Sequence, residues 1–115
     1  MLKVDANGNI SLNRADTGEI TLTIKDGDGN TYDYSGDTVV FGVKRSALDT
    51  GEPIIEKTFD ENGKIYFTED DTKNMQYGSY IYSIRCTHEE TVDEETVTTS
   101  QTVLLANFTV EWAVV

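Results

Sequence analysis

Cysteine, histidine, proline and tryptophan each occur only once in this sequence, as Cys86, His88, Pro53 and Trp112. A single cysteine excludes a disulfide within the chain, and with it the two-cysteine framework of secreted immunoglobulin domains, so we expect a reducing compartment. The single proline argues against a disordered linker, as do the hydrophobic residues, which make up 37% of the chain and are spread along it. Its 115 residues predict one folded domain, residues 1–115, that needs neither disulfide nor metal.

Basic residues are also scarce. Nine Lys and Arg stand against 21 Asp and Glu, which gives a formal net charge of −12. A field of this sign repels the phosphate backbone, so we expect no nucleic-acid partner. The acidic residues are distributed over predicted loops, where a solvated surface is the favoured interpretation and attraction of divalent cations is the alternative.

Long apolar runs are absent. No segment approaches the roughly 20 apolar residues of a membrane-spanning helix, and the first eight residues become polar too early for a signal peptide. The sequence therefore predicts neither a membrane partner nor a secretory leader.

Short strand-like runs fill the chain, separated by Gly, Asn and Asp, and this spacing is typical of an all-β sandwich or barrel. The predicted strands are residues 9–13, 19–25, 31–34, 38–45, 53–59, 64–68, 78–88 and about 95–112, the last interrupted near residues 100–101. We predict that 53–59 is an edge strand and forms a hairpin with 64–68. Residues 89–94 are predicted to be an acidic loop, and only residues 69–77 allow a helical turn.

The run from Gly78 to Cys86 has the clearest alternation, with Tyr80, Tyr82, Ile84 and Cys86 on one face. Its entry resembles the start of strand F in an immunoglobulin-like fold. There a tyrosine turns its hydroxyl back onto the backbone a few residues upstream, the tyrosine corner. We predict this role for Tyr80, as a core aromatic residue, and the fold class is therefore predicted to be an all-β, immunoglobulin-like antiparallel β-sandwich. The final strand is predicted to point its even-numbered residues, 104 to 112, inward.

Cys86 and His88 are the candidates for nucleophilic chemistry. On a strand, residues two apart share a face at a spacing of about 6–7 Å. A dyad needs the imidazole nitrogen within hydrogen-bond reach of the sulfur, and usually a third group that orients it. The favoured interpretation is that Cys86 is a small buried residue and His88 a polar residue at a strand end, and a zinc site lacks further Cys or His ligands.

The segment Asp26-Gly27-Asp28-Gly29-Asn30 partly matches a calcium loop, because carboxylates stand at alternate positions. A loop of the EF-hand type requires Gly at its sixth position and Glu at its twelfth, where this chain has Thr31 and Asp37. A plain hairpin turn is the favoured interpretation, and calcium binding stays open.

Tyrosines and paired carboxylates are the remaining candidates. Four tyrosines could form a binding patch for a sugar or a protein, although sheet packing explains them equally well: Tyr32, Tyr34, Tyr66 and Tyr77. The carboxylate pairs lie in loops without the converging residues of a glycosidase cleft. We assign no catalytic, cofactor-binding or metal-binding residue and expect no cofactor.

Five segments follow one another in a distinctive order. They are Gly36-Asp37-Thr38-Val39-Val40-Phe41-Gly42-Val43-Lys44, Ile54-Ile55-Glu56-Lys57, Asp71-Thr72, Gly78-Ser79-Tyr80-Ile81-Tyr82-Ser83-Ile84 and Phe108-Thr109-Val110. The order resembles a family of small immunoglobulin-like domains in tail and baseplate proteins of phages and prophages of Gram-positive bacteria, similar to the N-terminal domain of upper baseplate proteins.

This resemblance implies a non-catalytic structural or assembly module of the virion that docks onto other virion proteins, as a homo-oligomer or ring. It implies location in the virion, and in the host cytoplasm before assembly. The alternative is a bacterial immunoglobulin-like adhesion or carbohydrate-binding domain, with Tyr32, Tyr34 and the turn at residues 26–30 near the ligand. An enzyme has less support than either.

Overall fold

A computed structural model of the chain describes residues 2–25, 28–34, 36–46 and 48–112. The elements, in chain order, are β1 (Lys3–Val4), β2 (Ile10–Asn13), β3 (Gly18–Thr21), β4 (Thr38–Lys44), β5 (Ile55–Thr58), β6 (Lys64–Phe67), α1 (Glu69–Thr72), β7 (Gly78–Val92) and β8 (Glu95–Glu111). Strands dominate this list, so the prediction of an all-β protein is confirmed.

The strands form two sheets. Six of them pair in the order β1-β2-β8-β7-β4-β5, and β3 pairs antiparallel with β6 as a second sheet of two strands. Within the large sheet, β2 runs parallel to β8, with Ile10 opposite Phe108, and the other neighbours are antiparallel. The parallel pair departs from the purely antiparallel arrangement that the sequence predicts.

Aromatic rings join the two sheets. Phe67 of β6 contacts Phe41 of β4 at a ring-centroid distance of 5.5 Å and Phe108 of β8 at 5.8 Å. Phe41 also stacks on Tyr82 at 5.0 Å. All four are buried, because alternate positions of each strand point to the space between the sheets. The small sheet therefore packs on the inner face of the large one, over β4 and β8.

The turn between β5 and β6 is present, but the predicted hairpin is wrong. The Asp60 carboxylate accepts hydrogen bonds from the backbone of Asn62 and Lys64, both at 2.9 Å. However, β5 pairs with β4 and β6 pairs with β3, so the chain crosses here from one sheet to the other. Phe59 precedes the turn and Ile65 follows it, and both side chains are buried in the same core between the sheets. The other prediction for this region is confirmed, since β5 is an edge strand.

Two predicted strands are shorter than expected. The strand predicted over residues 19–25 ends at Thr21, and residues 31–34 contribute only an isolated bridge between Thr31 and Lys25. Backbone groups here bond across a loop: Leu22 donates to the Gly63 carbonyl, and Tyr32 donates to the Ile24 carbonyl, both at 2.8 Å. Asp26 and Gly27, within the predicted turn, lie outside the described residues.

The predicted helical turn is confirmed as α1. The backbone N–H of Thr68 donates to the Asp71 carboxylate at 2.7 Å, which satisfies a donor at the start of the helix. The fully buried Thr72 accepts a hydrogen bond from the Ala15 backbone at 2.8 Å, which attaches the helix to the chain after β2. Within the described part of the chain, no helix has the length and apolar character needed to cross a bilayer.

β7 begins as predicted. Tyr82, Ile84 and Cys86 are buried on one face, and the Tyr80 hydroxyl donates to the Gln76 carbonyl at 2.8 Å, four residues upstream. The predicted turn of this hydroxyl onto the backbone is therefore confirmed, although Tyr80 is half-buried rather than a core residue.

The predicted acidic loop at residues 89–94 is mostly strand. β7 continues to Val92, and only Asp93 and Glu94 form the turn into β8. β8 is continuous, and the predicted interruption is a bulge instead: Ile84 lies opposite Leu104 while Arg85 lies opposite Thr102. The extra residue reverses the inward and outward faces of β8.

Beyond the bulge toward the C-terminus the predicted inward face is confirmed for Phe108 and Val110, which are buried, and only in part for Leu104 and Ala106. It is wrong for Trp112, whose exposed fraction is 66%.

Candidate functional site

Asp37 brings three predicted candidates together. Its carboxylate oxygen Oδ2 accepts hydrogen bonds from the Tyr32 hydroxyl at 2.7 Å and the Cys86 thiol at 3.3 Å. The other oxygen, Oδ1, lies 2.5 Å from Nδ1 of His88. We call these four residues the Asp37 cluster. Because the Asp37 side chain is only 3% exposed, the cluster is a nearly buried carboxylate with three polar partners.

The sheet register places these groups. Thr38 pairs with Thr87, so Asp37, one residue earlier, reaches the inner-face side chains of Cys86 and His88 on β7. Sequence reasoning correctly put Cys86 and His88 on one face, but as a candidate for chemistry it considered Asp37 only as a calcium-loop position and did not connect it with them. The sequence does show an acidic residue directly before an apolar strand. It does not show that this strand pairs with β7, which is what brings Asp37 to Cys86 and His88.

The cluster favours an ion pair between Asp37 and His88. Burial alone raises the pKa of Asp37, but hydrogen bonds from His88, Tyr32 and Cys86 outweigh it and hold the pKa below 3.8. The hydrogen bond to Asp37 raises the pKa of His88 above 6.5. The second ring nitrogen, Nε2, lies 3.6 Å from a Glu90 carboxylate oxygen. Both nitrogens therefore face carboxylates, which stabilises the protonated imidazole.

The same carboxylate disfavours a reactive thiol. Burial, followed by the hydrogen bond to Asp37, raises the pKa of Cys86 to about 11. The Tyr32 hydroxyl, hydrogen-bonded to Asp37, has a pKa raised to about 12. Since the thiolate is the nucleophilic form of cysteine, a thiol with this pKa stays protonated near neutral pH. The arrangement can link two segments of chain and hold a charge, but it does not activate sulfur.

The four candidate tyrosines do not share one surface. The Tyr34 hydroxyl donates to the Leu22 carbonyl at 2.6 Å, and Tyr32 is directed to Asp37, so both hydroxyls bind within the protein. Tyr66 is 53% exposed on the outer side of β6. None of the ring contacts found among the described residues joins two of these tyrosines.

Tyr77 has a different neighbourhood. Its ring packs against that of Trp112 at a centroid distance of 4.5 Å, and the Arg14 guanidinium lies 4.5 Å from the ring centroid of Tyr77. A groove of about 400 Å³ begins beside Tyr77 and runs past Tyr80 and Arg45. The exposed Trp112 ring gives this end of the molecule an amphipathic surface of the kind that binds sugars or proteins.

The predicted calcium turn falls partly outside the described residues, because Asp26 and Gly27 are not among them. Across the ranges that the structure describes, no group of three or more His, Cys, Asp or Glu side chains is arranged to hold a metal ion. Gly29, the described glycine of the turn, has φ +83°, the left-handed conformation that tight turns use.

The end of the β7–β8 hairpin is a long exposed feature of the described structure. From His88 to Thr99 the two strands pair only with each other among the described strands, and we call this segment the arm. Apart from the half-buried His88, its residues are exposed on both faces. The molecule measures 58 Å along its longest axis against 30 and 22 Å across. A hairpin with strands of 15 and 17 residues is about 50 Å long, so it accounts for this elongation.

Comparisons of the chain with models of protein families, with curated proteins and with solved structures found no match.

Proposed function

We propose that this protein is a non-catalytic structural module of a phage or prophage tail or baseplate, and that it acts by docking onto other virion proteins. Its place is the virion, and the host cytoplasm before assembly. The proposed scaffold is an immunoglobulin-like sandwich.

Strand order supports this scaffold. In immunoglobulin-like variable domains, strands G, F, C and C′ are neighbours in one sheet, and strands B and E pair in the other. The neighbours β8-β7-β4-β5 and β3-β6 have this arrangement when β3 to β8 are taken as B, C, C′, E, F and G in chain order.

The start of β7 supports the same scaffold. A tyrosine corner needs a tyrosine near the start of strand F whose hydroxyl bonds to the backbone a few residues upstream. The hydrogen bond from Tyr80 to the Gln76 carbonyl has this form, and β7 is the strand that corresponds to F.

The arm is the observation that carries the docking proposal. Its strands extend beyond the core and bury little, so the core does not explain their length. A hairpin alone in water is only marginally stable, and exposed strand edges are a common means of binding another chain. A long projecting hairpin is therefore suited to contact a neighbouring protein rather than to bind a small molecule.

The segments that carry the family resemblance lie on the framework beneath the arm. Four of the five segments overlap β4, β5, the first half of β7 and the last part of β8, respectively, and Asp71-Thr72 lies in α1. None lies within the arm. In a docking module we expect this division, with a shared framework and an individual contact surface.

Purified particles test the proposal. After prophage induction in the strain that encodes this chain, density-gradient particles and the unassembled protein of the same lysate are compared by quantitative mass spectrometry. We expect peptides of this chain in a fixed ratio to the major tail protein across the particle peak. If the chain occurs only in the unassembled fraction, the proposal is wrong.

A second candidate is an immunoglobulin-like adhesion or carbohydrate-binding domain. The observation in its favour is the exposed Trp112 ring packed on Tyr77, since a flat aromatic ring beside a polar groove can stack on a sugar. A glycan array followed by titration calorimetry tests it. Binding that is lost in Trp112→Ala and kept in Tyr66→Ala, another exposed aromatic residue, would favour this candidate over the first.

A further inference from the structure

The β8 strand has an unpaired edge in the arm. Residues Thr96–Ser100, which we call the β8 edge, pair with β7 on one side, and no other described strand pairs with them on the other. In an antiparallel strand, alternate residues direct their backbone N–H and C=O groups away from the existing neighbour. Both faces of the segment are also exposed. The edge is therefore open to a further strand.

The β8 edge lacks the features that normally block such pairing. Natural edge strands are protected by charged residues, prolines or bulges, or are very short. The β8 edge reads Thr-Val-Thr-Thr-Ser, with no charge, no proline and no bulge. The other described edges of the large sheet carry charges: Lys3 on β1, Glu56 and Lys57 on β5, and Glu89 and Glu90 on the arm part of β7.

We propose that the β8 edge pairs antiparallel with the β8 edge of a second copy of this chain, about a twofold axis at Thr98. The proposal names a partner for the docking function proposed above and rests on it for its role in the virion. The pairing itself is a property of the purified chain, so it is tested separately.

Charge selects this partner and this register. With Thr98 opposite Thr98 of the second copy, Thr96 lies opposite Ser100 and Val97 opposite Thr99, so no charged residues face each other. The two Glu95 residues are then separated by six residues of strand, about 20 Å, which exceeds the Debye length of roughly 10 Å in 0.1 M salt. The same operation on the β7 edge of the arm would place Glu90 opposite Glu90. Threonine pairs across strands are favourable, whereas like charges directly opposite are not.

Backbone hydrogen bonds supply the attraction. Across the new pair, backbone N–H and C=O groups that otherwise bond to water bond to each other. The β7 and β8 strands of the two arms would then form one four-stranded sheet. The net charge of −12 on each copy opposes association. We therefore expect the dimer to strengthen as salt is raised.

The test is sedimentation equilibrium of the purified full chain over a range of concentrations, at low and at moderate salt. The key variant is Thr98→Lys. Within one chain Thr98 lies opposite Glu89, so a lysine there adds a favourable pair and keeps the arm intact. Across the twofold axis it places two ammonium groups opposite each other. We expect the dimer dissociation constant to rise about tenfold or more, the size that a change of 1.4 kcal/mol produces.

The matched control is Thr91→Lys. Thr91 lies on β7, on the same face of the arm as Thr98 and two residue pairs nearer the tip, opposite Thr96. It adds the same charge without lying on the β8 edge, so the dissociation constant should stay within about threefold of that of the wild-type protein. Circular dichroism and the melting temperature confirm that both variants are folded.

A second measurement does not depend on charge. Under mild oxidation, Thr98→Cys should form a disulfide-linked dimer, because directly opposite residues on antiparallel strands lie close enough for a disulfide. Thr91→Cys should not. The native Cys86 is buried and does not compete.

Several outcomes would overturn the proposal. A wild-type chain that stays monomeric at every concentration and salt would do so, as would a dimer that neither Thr98→Lys weakens nor Thr98→Cys traps. If Thr98→Cys in assembled particles cross-links to a different virion protein, and the purified variant forms no homodimer, the edge belongs to that protein instead. None of these results decides the proposed function, because the presence of the chain in particles is measured in a separate experiment.

Discussion

At the scale of single residues, Asp37 is a nearly buried carboxylate with three side-chain partners. It links the loop before β4 to two positions of β7, and its partners are all uncharged or cationic when Asp37 is ionised. A nearly buried carboxylate with fewer partners would be costly, since an unpaired buried charge destabilises the fold. We interpret the cluster as a structural connection between strands.

The cluster predicts a pH dependence of stability. The folded-state pKa of His88 is raised above 6.5, so the stabilisation from the ion pair with Asp37 is complete below pH 6.5 and is lost as the pH rises through the folded-state pKa. We expect the urea midpoint of the wild-type protein to fall between about pH 6 and about pH 9. His88→Gln should flatten this dependence.

An independent measurement separates the ion pair from other effects. The NMR titration of His88, the only histidine in the chain, should give a pKa above 6.5. In Asp37→Asn this pKa should move down toward 6.5, because the negative charge is gone. An unchanged pKa in that variant would show that Asp37 does not determine the charge of His88.

Tyr80 gives a second prediction at this scale. Tyr80→Phe removes the hydrogen bond to the Gln76 carbonyl and keeps the ring, so the free energy of unfolding should fall by about 0.5–1 kcal/mol, the lower range for a partly exposed bond. Tyr66→Phe, at an exposed tyrosine of β6, is the control and should have no measurable effect. Equal urea midpoints for the wild-type protein and Tyr80→Phe would contradict the corner role.

The difference between Tyr80 and Asp37 shows which residue roles can be predicted from sequence. The partner of Tyr80 is four residues away, and a local rule predicted it. The partners of Asp37 on β7 are about fifty residues away, at separations of 49 and 51. Only the register of β4 against β7 brings them together, and alternation within a strand does not specify register with another.

At the scale of elements, the turn of the arm is unusual. Asp93 has φ 51° and Glu94 has φ 67°, so both central residues of the two-residue turn have positive φ, as in a type I′ turn. Such turns favour Asn and Gly, and Glu is poorly suited to this conformation.

This turn gives a prediction for Glu94→Gly. Glycine adopts positive φ without steric cost, so the variant should stabilise the end of the arm by about 0.5–1 kcal/mol. Slower amide exchange at Val92 and Glu95, measured by NMR, is the expected result. Glu61→Gly is the matched control. Glu61 is also an exposed turn residue, but its φ is not positive, so glycine should not stabilise the protein there. Unchanged exchange in Glu94→Gly would contradict the turn geometry.

The arm also shows why its sequence was misinterpreted. The acidic residues between Glu89 and Glu94 predicted a loop, because charge usually marks solvent exposure. Here exposure and strand structure coexist, since both strands are fully solvated and pair with each other. The bulge at Val103 had a detectable signal in the change of alternation, but the sequence located it two to three residues too early.

At the scale of the whole molecule, the sequence predicted two packed sheets but not which sheet each strand joins. Turn signals around Asp60 to Gly63 were read correctly, and local turn chemistry does not state whether the chain continues in the same sheet. Core packing determines which sheet β6 joins, because Phe67 of β6 contacts Phe41 and Phe108 of the opposite sheet. Packing between layers is the information that a pattern along one strand does not contain.

The central claim is that the chain docks in a particle through its arm. A shortened-arm variant that lacks residues 89–92 and 95–98 tests it, because removing four residues from each strand keeps the faces in register and retains the Asp93-Glu94 turn. Its melting curve should show a folded body.

The deciding measurement is the copy number of this chain per purified particle, determined by quantitative mass spectrometry after complementation with either the wild-type protein or the shortened-arm variant. We predict a fixed copy number for the wild-type protein and loss of the variant from particles. Incorporation of the folded variant at the wild-type copy number would contradict the claim.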